Sequence, residues 1–129
     1  MQPHAPIPID AKDVPTPKAP YSQGIDAGTQ VFVSGQLGID PFTGEIPGSV
    51  ADETRHAMDY MRAVLAAAGL SMNEVCKTTI FMIDFDDYSK VNEVYSKYFE
   101  TPPARSTVKV AELTMGARVE IEAIAVRTS

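Results

Sequence analysis

The sequence predicts an α+β protein in which two helices cover one face of a single mixed β-sheet. Two stretches repeat apolar residues at helical spacing, whereas the stretches around them are rich in β-branched and aromatic residues. Glycine and proline separate the two kinds of stretch. The chain has 129 residues, 44% hydrophobic and 22% charged, so it can build one two-layer domain with a real core.

The first 18 residues form a proline-rich segment ahead of a single domain over residues 19–129. Six of the ten prolines lie within the first 20 residues. Proline lacks an amide donor and fixes φ, so the segment should be extended or mobile, with at most one edge strand around Ile7–Ile9. It has neither the apolar core of a secretory signal nor the arginines of a transit peptide, and we expect a cytoplasmic protein.

The domain begins with two short β-type runs, Gln23–Asp26 and Gln30–Ser34, which predict a hairpin. A turn-rich loop is expected over 35–48, because it contains four glycines and two prolines. A helix follows at about 50–68. Its ends are marked by Ser49, which has capping-box spacing to an acid three residues later, and by Gly69.

The second half of the chain predicts a strand, a helix and a final hairpin. Val75–Ile83 is rich in β-branched residues and is expected to be a central strand. An apolar stripe between Tyr88 and Phe99 predicts the second helix, which a pair of prolines ends. Residues 105–112 and 117–128 are expected to pair as a hairpin. Two helices leave one sheet face uncovered, and the apolar last strand favours burial of that face in an oligomer.

Composition excludes several classes of function. The net charge of −6 argues against nucleic acid as a partner, since affinity for phosphate backbones rests on clustered bases. No apolar stretch is long enough for a membrane helix. His4 and His56 are too differently placed to suggest a metal site. The lone Cys76 lies in an apolar strand and is predicted to be a buried small side chain rather than a nucleophile.

An arginine and a carboxylate stand out on the predicted final hairpin. Strand alternation places Arg105 and Thr107 on one face, and folding back through the turn brings them opposite roughly Glu120–Glu122. One interpretation is a structural ion pair on a solvated face. The other is an anion-binding arginine beside a carboxylate base, since the arginine fork matches two carboxylate oxygens.

Several short motifs occur together and in order along the chain. They are PYSQG at 20–24, VSGQ at 33–36, PARS at 103–106 and VEIEAIA at 119–125. With them, the chain resembles the RidA (YjgF/UK114-like) family of reactive-intermediate deaminases over about residues 19–127. PARS and EIEAIA are specific in combination, whereas SGQ alone would be weak.

The resemblance implies a chorismate-mutase-like α+β fold, a homotrimer with sites between subunits, and no cofactor. Active members hydrolyse enamine and imine intermediates such as 2-aminoacrylate to 2-keto acids and ammonia. By resemblance, Arg105 binds the substrate carboxylate and Glu120 holds the attacking water. The other matching site positions are Tyr21, Ser34, Gly35, Asn92 and Thr107, the last standing where many relatives have cysteine.

Two other functions remain open at this point. A regulatory module could bind small 2-keto acids in the same cleft without accelerating imine hydrolysis. An RNA-directed endoribonuclease or translation inhibitor is a role also attached to this family, and the acidic balance of the chain weighs against it.

Overall fold

The computed structural model describes residues 5–128 as six strands and two α-helices in two layers. The strands are β1 (Ile7–Ile9), β2 (Gly24–Asp26), β3 (Gln30–Leu37), β4 (Val75–Met82), β5 (Ala104–Lys109) and β6 (Val119–Val126). The helices are α1 (Val50–Ala67) and α2 (Tyr88–Tyr95), and short 3-10 turns flank α2 on both sides. The predicted α+β class, the edge strand and both helices are confirmed.

The sheet has the order β1-β2-β3-β6-β4-β5 and is mixed, as predicted. β6 runs antiparallel to both β3 and β4, whereas β5 runs parallel to β4 at the edge of the sheet. The predicted hairpin between the last two strands is therefore wrong. The chain turns after β5 and crosses β4, so that β6 fills the gap between β3 and β4.

Helix α1 has both of the ends that its sequence encodes. The Ser49 hydroxyl accepts a hydrogen bond from the Asp52 amide at 3.0 Å, which satisfies one of the free donors of the first turn. At the other end Gly69 takes a φ of +79°. The amides of Gly69 and Leu70 then bond back to the carbonyls of Ala66 and Leu65, the pattern of a Schellman motif.

The core lies between α1 and the sheet, and the opposite sheet face is uncovered. Alternate side chains of the central strands point into the core, among them Val31, Ile80 and Ile121, none of which is exposed. On the uncovered face Phe32 and Val126 are partly exposed. The prediction that the helices cover one face only is confirmed.

The N-terminal segment packs against the domain. Ile9, Ala11 and Val14 are buried in the main core. The Gln23 side chain fastens this segment, since its Oε1 accepts from the Ala11 amide at 2.6 Å and its Nε2 donates to the carbonyl oxygens of Ala11 and Val14 at 3.3 Å.

A buried ion pair joins α1 to the start of β6. Glu53 is fully buried, and its carboxylate accepts from Arg118 Nε at 2.7 Å and from the amides of Arg118 and Val119. The Arg118 guanidinium also donates to the carbonyl oxygens of Pro47 and Gly48. Both charges are thus hydrogen-bonded as well as paired, which buried charges require.

Cys76 is exposed, contrary to prediction. The pairing of β4 with β6 shifts register between Val75 and Lys77, and Cys76 lies in this irregularity, where side-chain alternation is interrupted. Its thiol donates weakly to the Ile124 carbonyl oxygen at 3.4 Å.

Candidate active site

Arg105 is held in place by helix α2. Its Nη1 donates to Asn92 Oδ1 at 2.8 Å, and its Nη2 donates to the Tyr88 hydroxyl oxygen at 3.0 Å. The guanidinium carbon lies 5.1 Å from the ring centre of Tyr95 and 5.7 Å from that of Tyr88, which are cation–π distances. The arrangement fixes the orientation of the guanidinium before any ligand arrives.

The supports of Arg105 are themselves anchored. Tyr95 is buried, and its hydroxyl shares a hydrogen bond of 2.6 Å with Thr78 Oγ1 on β4. Burial raises the pKa of Tyr95, so this phenol is neutral at physiological pH. Thr78 stands directly opposite Arg105 in the parallel β4–β5 pairing. Arginine, tyrosine and threonine therefore form one rigid unit that joins α2 to the edge of the sheet.

Arg105 forms no ion pair within residues 5–128. Its partners are an amide oxygen, a hydroxyl and two aromatic rings, which leave the positive charge uncompensated. A guanidinium carries five N–H donors, so several stay available for a bidentate anion. The planar fork of a guanidinium matches the two oxygens of a carboxylate, as it does those of a phosphate.

A cavity of about 490 Å³ opens beside Arg105. Its lining residues are Phe85, Tyr88, Arg105 and Thr107. The Thr107 hydroxyl oxygen is buried and has no hydrogen-bond partner among the described residues. A polar atom of this kind is a candidate contact for a ligand, because buried hydroxyl groups are ordinarily satisfied.

Glu120 forms a second cluster with Gly35. A Cβ atom at position 35 would lie 2.2 Å from Glu120 Oε2, so the carboxylate occupies the space that a side chain at position 35 would take. The pairing of β3 with β6 shifts register between Val33 and Gln36, which places Ser34 and Gly35 at this irregularity. Burial, and secondly the negative charge of Glu122, raise the pKa of the Glu120 carboxyl.

Ser34 and Tyr21 extend the Glu120 cluster toward the N-terminal side. The Ser34 hydroxyl donates to the carbonyl oxygen of Ser22 at 2.6 Å, and the Ser34 amide donates to the carbonyl oxygen of Gln23. This pair of bonds fixes the chain next to Tyr21, whose side chain is 56% exposed. An exposed aromatic ring on a fixed backbone is suited to contact a ligand or another chain.

The predicted proximity of Arg105 and Glu120 within one chain is wrong. β4 lies between their strands, which separates them by roughly 10 Å across the sheet alone. They also point to opposite faces. Arg105 is level with the buried Thr78 and contacts α2, whereas Glu120 is level with Phe81 and alternates with the core residues of β6. Within one chain the predicted site residues therefore form two separate clusters, which we name the arginine half-site (Asn92, Arg105, Thr107) and the glutamate half-site (Tyr21, Ser34, Gly35, Glu120).

Sequence reasoning misses the aromatic part of the arginine half-site. The helical pattern assigns Tyr88 and Tyr95 to the apolar stripe of the second helix, and the structure buries Tyr95 while leaving Tyr88 42% exposed. The same pattern gives Phe85 no role. The available signal is the spacing of Tyr88, Asn92 and Tyr95, which places all three on one helix face together with a polar amide.

Residues 5–128 form a two-layer α+β domain in which an arginine without an ion-pair partner lies beside an open cavity, and this combination defines a candidate site for a small carboxylic acid. The comparisons with known proteins identify the particular family. The model of the family described as Endoribonuclease L-PSP matches residues 11–127, so the chain belongs to that family, which is the RidA/YjgF family that its motifs resemble.

Similar proteins cover nearly the whole chain. TdcF of Escherichia coli K12 is named as a proposed reactive intermediate deaminase. It is 43% identical over 94% of this chain and 97% of its own length. The 2-iminobutanoate/2-iminopropanoate deaminase of the same organism is 42% identical over 92% of this chain and 96% of its own. A crystal structure of Escherichia coli TdcF with bound serine superposes with a TM-score of 0.91 at 43% identity, covering 95% of this chain and 99% of that one.

Proposed function

We propose that this protein hydrolyses reactive 2-enamine and 2-imine acids, such as 2-aminoacrylate, to 2-keto acids and ammonia. The names of two relatives above 40% identity support this reaction. The observation that carries it is the Arg105 guanidinium, which is preorganised by Asn92 and Tyr88, has no acidic partner among residues 5–128 and faces a cavity. A cytoplasmic location belongs to the same proposal and is supported by the chain's single cysteine. Among residues 5–128, neither helix has the length and apolar character that crossing a membrane requires.

The complete site requires two copies of the chain. Arg105 and Glu120 face opposite sides of one sheet, and a small imino acid cannot contact both of them within a single chain. The proposed homotrimer solves this problem by placing the arginine half-site of one subunit against the glutamate half-site of the next. Support comes from the uncovered sheet face, where Phe32, Val108 and Val126 leave apolar surface for another subunit to bury.

The substrate carboxylate binds the Arg105 fork, which fixes the position of C2. The Glu120 carboxylate orients a water molecule toward C2 and accepts its proton as the C–O bond forms. Glu120 passes this proton to the imine nitrogen, which completes a neutral carbinolamine. The carbinolamine hydroxyl then gives its proton to Glu120, which transfers it to the nitrogen as the C–N bond breaks, so that a C=O bond forms and ammonia leaves. Tyr21, Ser34 and Gly35 line the pocket on the glutamate side, and Asn92 and Thr107 line it on the arginine side.

The electrostatics of Glu120 suit this role. Its raised pKa lies closer to neutral pH than that of an ordinary glutamate. A group with such a pKa can both accept a proton from water and return it efficiently. Imines already hydrolyse slowly in water, so orienting the water and the substrate supplies most of the required acceleration. An overall charge of −6 repels anions at a distance, and a local uncompensated arginine is therefore needed to attract the substrate.

A coupled assay tests the proposal. A dehydratase releases 2-aminoacrylate from serine, and pyruvate formation is followed with and without this protein. We expect acceleration by the wild type and a loss of about 100-fold or more in kcat/KM for Arg105→Ala, because two charge-assisted hydrogen bonds disappear. Arg55→Ala is the matched control, since Arg55 lies on the exposed surface of α1.

Two results would contradict the proposal. Wild-type protein that binds a 2-keto acid without accelerating imine hydrolysis would indicate a binding module. Wild-type turnover retained by a folded Arg105→Ala variant would remove the arginine from the mechanism. RNA cleavage that survives this substitution would instead support the nuclease activity that the family description names.

A further inference from the structure

We propose that Phe85 and Tyr88 form the subsite for the substrate's side chain, and that the protein prefers 2-imino acids with bulky, uncharged side chains, aromatic ones above all. This inference rests on the proposed function and deepens it. A 2-imino acid bound through its carboxylate places C3 only two bonds away from the anchored carbon. The groups next to Arg105 therefore decide which side chains fit.

Phe85 and Tyr88 present a continuous aromatic surface to the cavity. Their rings pack edge to face, with centres 6.1 Å apart and planes at 79°. They remain 49% and 42% exposed, so the core does not use these surfaces. Single exposed aromatics are common on proteins, but these two line the same cavity as the arginine anchor.

The aromatic surface is fixed relative to the anchor. The Tyr88 hydroxyl accepts a hydrogen bond from Arg105, and its ring centre lies 5.7 Å from the guanidinium carbon. The turn that carries Phe85 is held by Asp84, whose carboxylate accepts from the Asp86 amide at 2.8 Å. A substrate side chain leaving the anchored carboxylate therefore meets a preformed surface, which keeps the ordering cost of binding low.

The cavity has room for large side chains. On one chain it is an open groove of about 490 Å³ along the two rings. The imine of alanine has about six non-hydrogen atoms and would leave the aromatic end of such a pocket unfilled. An aromatic or branched side chain buries more apolar area there and also gains ring-to-ring contact with Phe85.

The surrounding charge disfavours acidic side chains. Asp84, Asp86 and Asp87 lie in the same turn as Phe85 and precede Tyr88 directly. Arg105 is the cationic group lining the cavity, and the substrate carboxylate already occupies it. A second carboxylate near Phe85 would lose hydration without gaining a cation.

The test compares free imines released by an amino-acid oxidase from alanine, leucine, phenylalanine and glutamate, with hydrolysis followed by competition with semicarbazide. For the wild type we expect kcat/KM to be about tenfold or more higher for the phenylalanine imine than for the alanine imine. The leucine imine should exceed the glutamate imine by a similar factor.

Two variants, each of which replaces one phenylalanine with alanine, distinguish contact with the substrate's side chain from a general loss of activity. Phe85→Ala should lower kcat/KM about tenfold for the phenylalanine imine and less than about twofold for the alanine imine, because only the longer side chain reaches the ring. Phe42→Ala is the matched control. Phe42 is 95% exposed at a loop tip outside the cavity, and its removal should change neither value.

The possible results distinguish a failure of the side-chain subsite from a failure of the proposed function. Equal kcat/KM for all four imines in the wild type, or an equal loss for both imines in Phe85→Ala, would overturn the side-chain subsite and leave the proposed function standing. Absence of acceleration for every imine would overturn the proposed function and this inference with it. A preference for bulky substrates that Phe85→Ala abolishes supports both.

Discussion

Arg118 and Arg105 are two arginines of the same sheet with opposite surroundings. Arg118 at the start of β6 pairs with the buried carboxylate of Glu53 and donates from Nη1 and Nη2 to two main-chain oxygens. Arg105 on the edge strand β5 is held by an amide oxygen, a hydroxyl and two rings, and no acid pairs with it in the described part of the chain. Both side chains are ordered by their contacts, but only Arg118 has its charge balanced.

The difference separates an arginine that stabilises the fold from one that is prepared for a ligand. A buried carboxylate must be paired, so Glu53 requires Arg118 for structural reasons. Aromatic rings and a neutral amide position Arg105 without neutralising it, which preserves its attraction for an anion. An acidic partner on Arg105 would have to be displaced before any substrate carboxylate could bind.

Replacing each of the two arginines with alanine should give the largest difference in stability between two variants. Arg118→Ala leaves the Glu53 carboxylate buried without a cation, and we expect a loss of about 3 kcal/mol in the free energy of unfolding and a Tm lower by roughly 10 °C. Arg105→Ala should cost about 1 kcal/mol or less, because it removes cation–π contacts at a partly exposed site.

Thermal unfolding followed by circular dichroism measures both variants, with imine hydrolysis as the second readout. Arg118→Ala should retain its specific activity at temperatures where it is folded. A large loss of stability in Arg105→Ala, or a negligible one in Arg118→Ala, would erase the distinction between the two arginines.

Glu120→Gln tests whether the acidic residue, like Arg105, serves activity rather than stability. We expect kcat/KM to fall about 100-fold or more, since the group that accepts a proton from water is removed. The free energy of unfolding, in contrast, should increase. The pKa of Glu120 is raised in the folded state, so ionisation costs stability as pH rises through that value, and the glutamine variant avoids the cost.

At pH 7 the Tm of Glu120→Gln should therefore exceed that of the wild type by about 1–4 °C, and the difference should vanish below about pH 4, where the carboxyl is protonated in both states. Glu122→Gln is the matched control, because it removes the like charge that helps to raise the pKa of Glu120. It should shift the acidic limb of the pH–rate profile to lower pH. A Tm that falls at pH 7 in Glu120→Gln would show that the carboxylate is a structural group.

Arg55→Ala should have the smallest effect. Arg55 pairs with Asp52 at 2.7 Å on the surface of α1, where both side chains are about half exposed. Exposed pairs at this spacing contribute about 0.5 kcal/mol or less, and salt screens them. Urea unfolding at low and high salt measures the contribution. A loss above about 2 kcal/mol would mean that exposure does not distinguish this arginine from Arg118.

The sequence predicts best what is encoded locally. Helix α1 is predicted at 50–68 and is found at Val50–Ala67, because a serine cap and a left-handed glycine act within a few residues of its ends. The edge strand at Ile7–Ile9 is likewise confirmed, since prolines restrict that segment to extended backbone.

Strand order is not predictable from the same signals. The last two strands are neighbours in sequence and look like a hairpin, yet β6 pairs with β3 and β4, which lie far away in the chain. Residue type and motif single out Arg105 and Glu120 as candidates, but the sheet faces on which they lie can be compared only once the strand order is known. Tyr88 shows a further limit, because helical spacing does not reveal which member of an apolar stripe lies beyond the edge of the core.

The central claim is that Arg105 and Glu120 act together only across a subunit boundary. Arg105→Ala and Glu120→Gln chains, carrying different affinity tags, can be refolded together in equal amounts and purified through both tags. Random assembly makes about three quarters of all trimers mixed, and each mixed ring contains one site with both residues intact. The refolded mixture, measured before purification, should have about one quarter of wild-type activity, although each variant alone is inactive. Activity that remains at the level of the separate parents, although doubly tagged trimers are recovered, would contradict the claim.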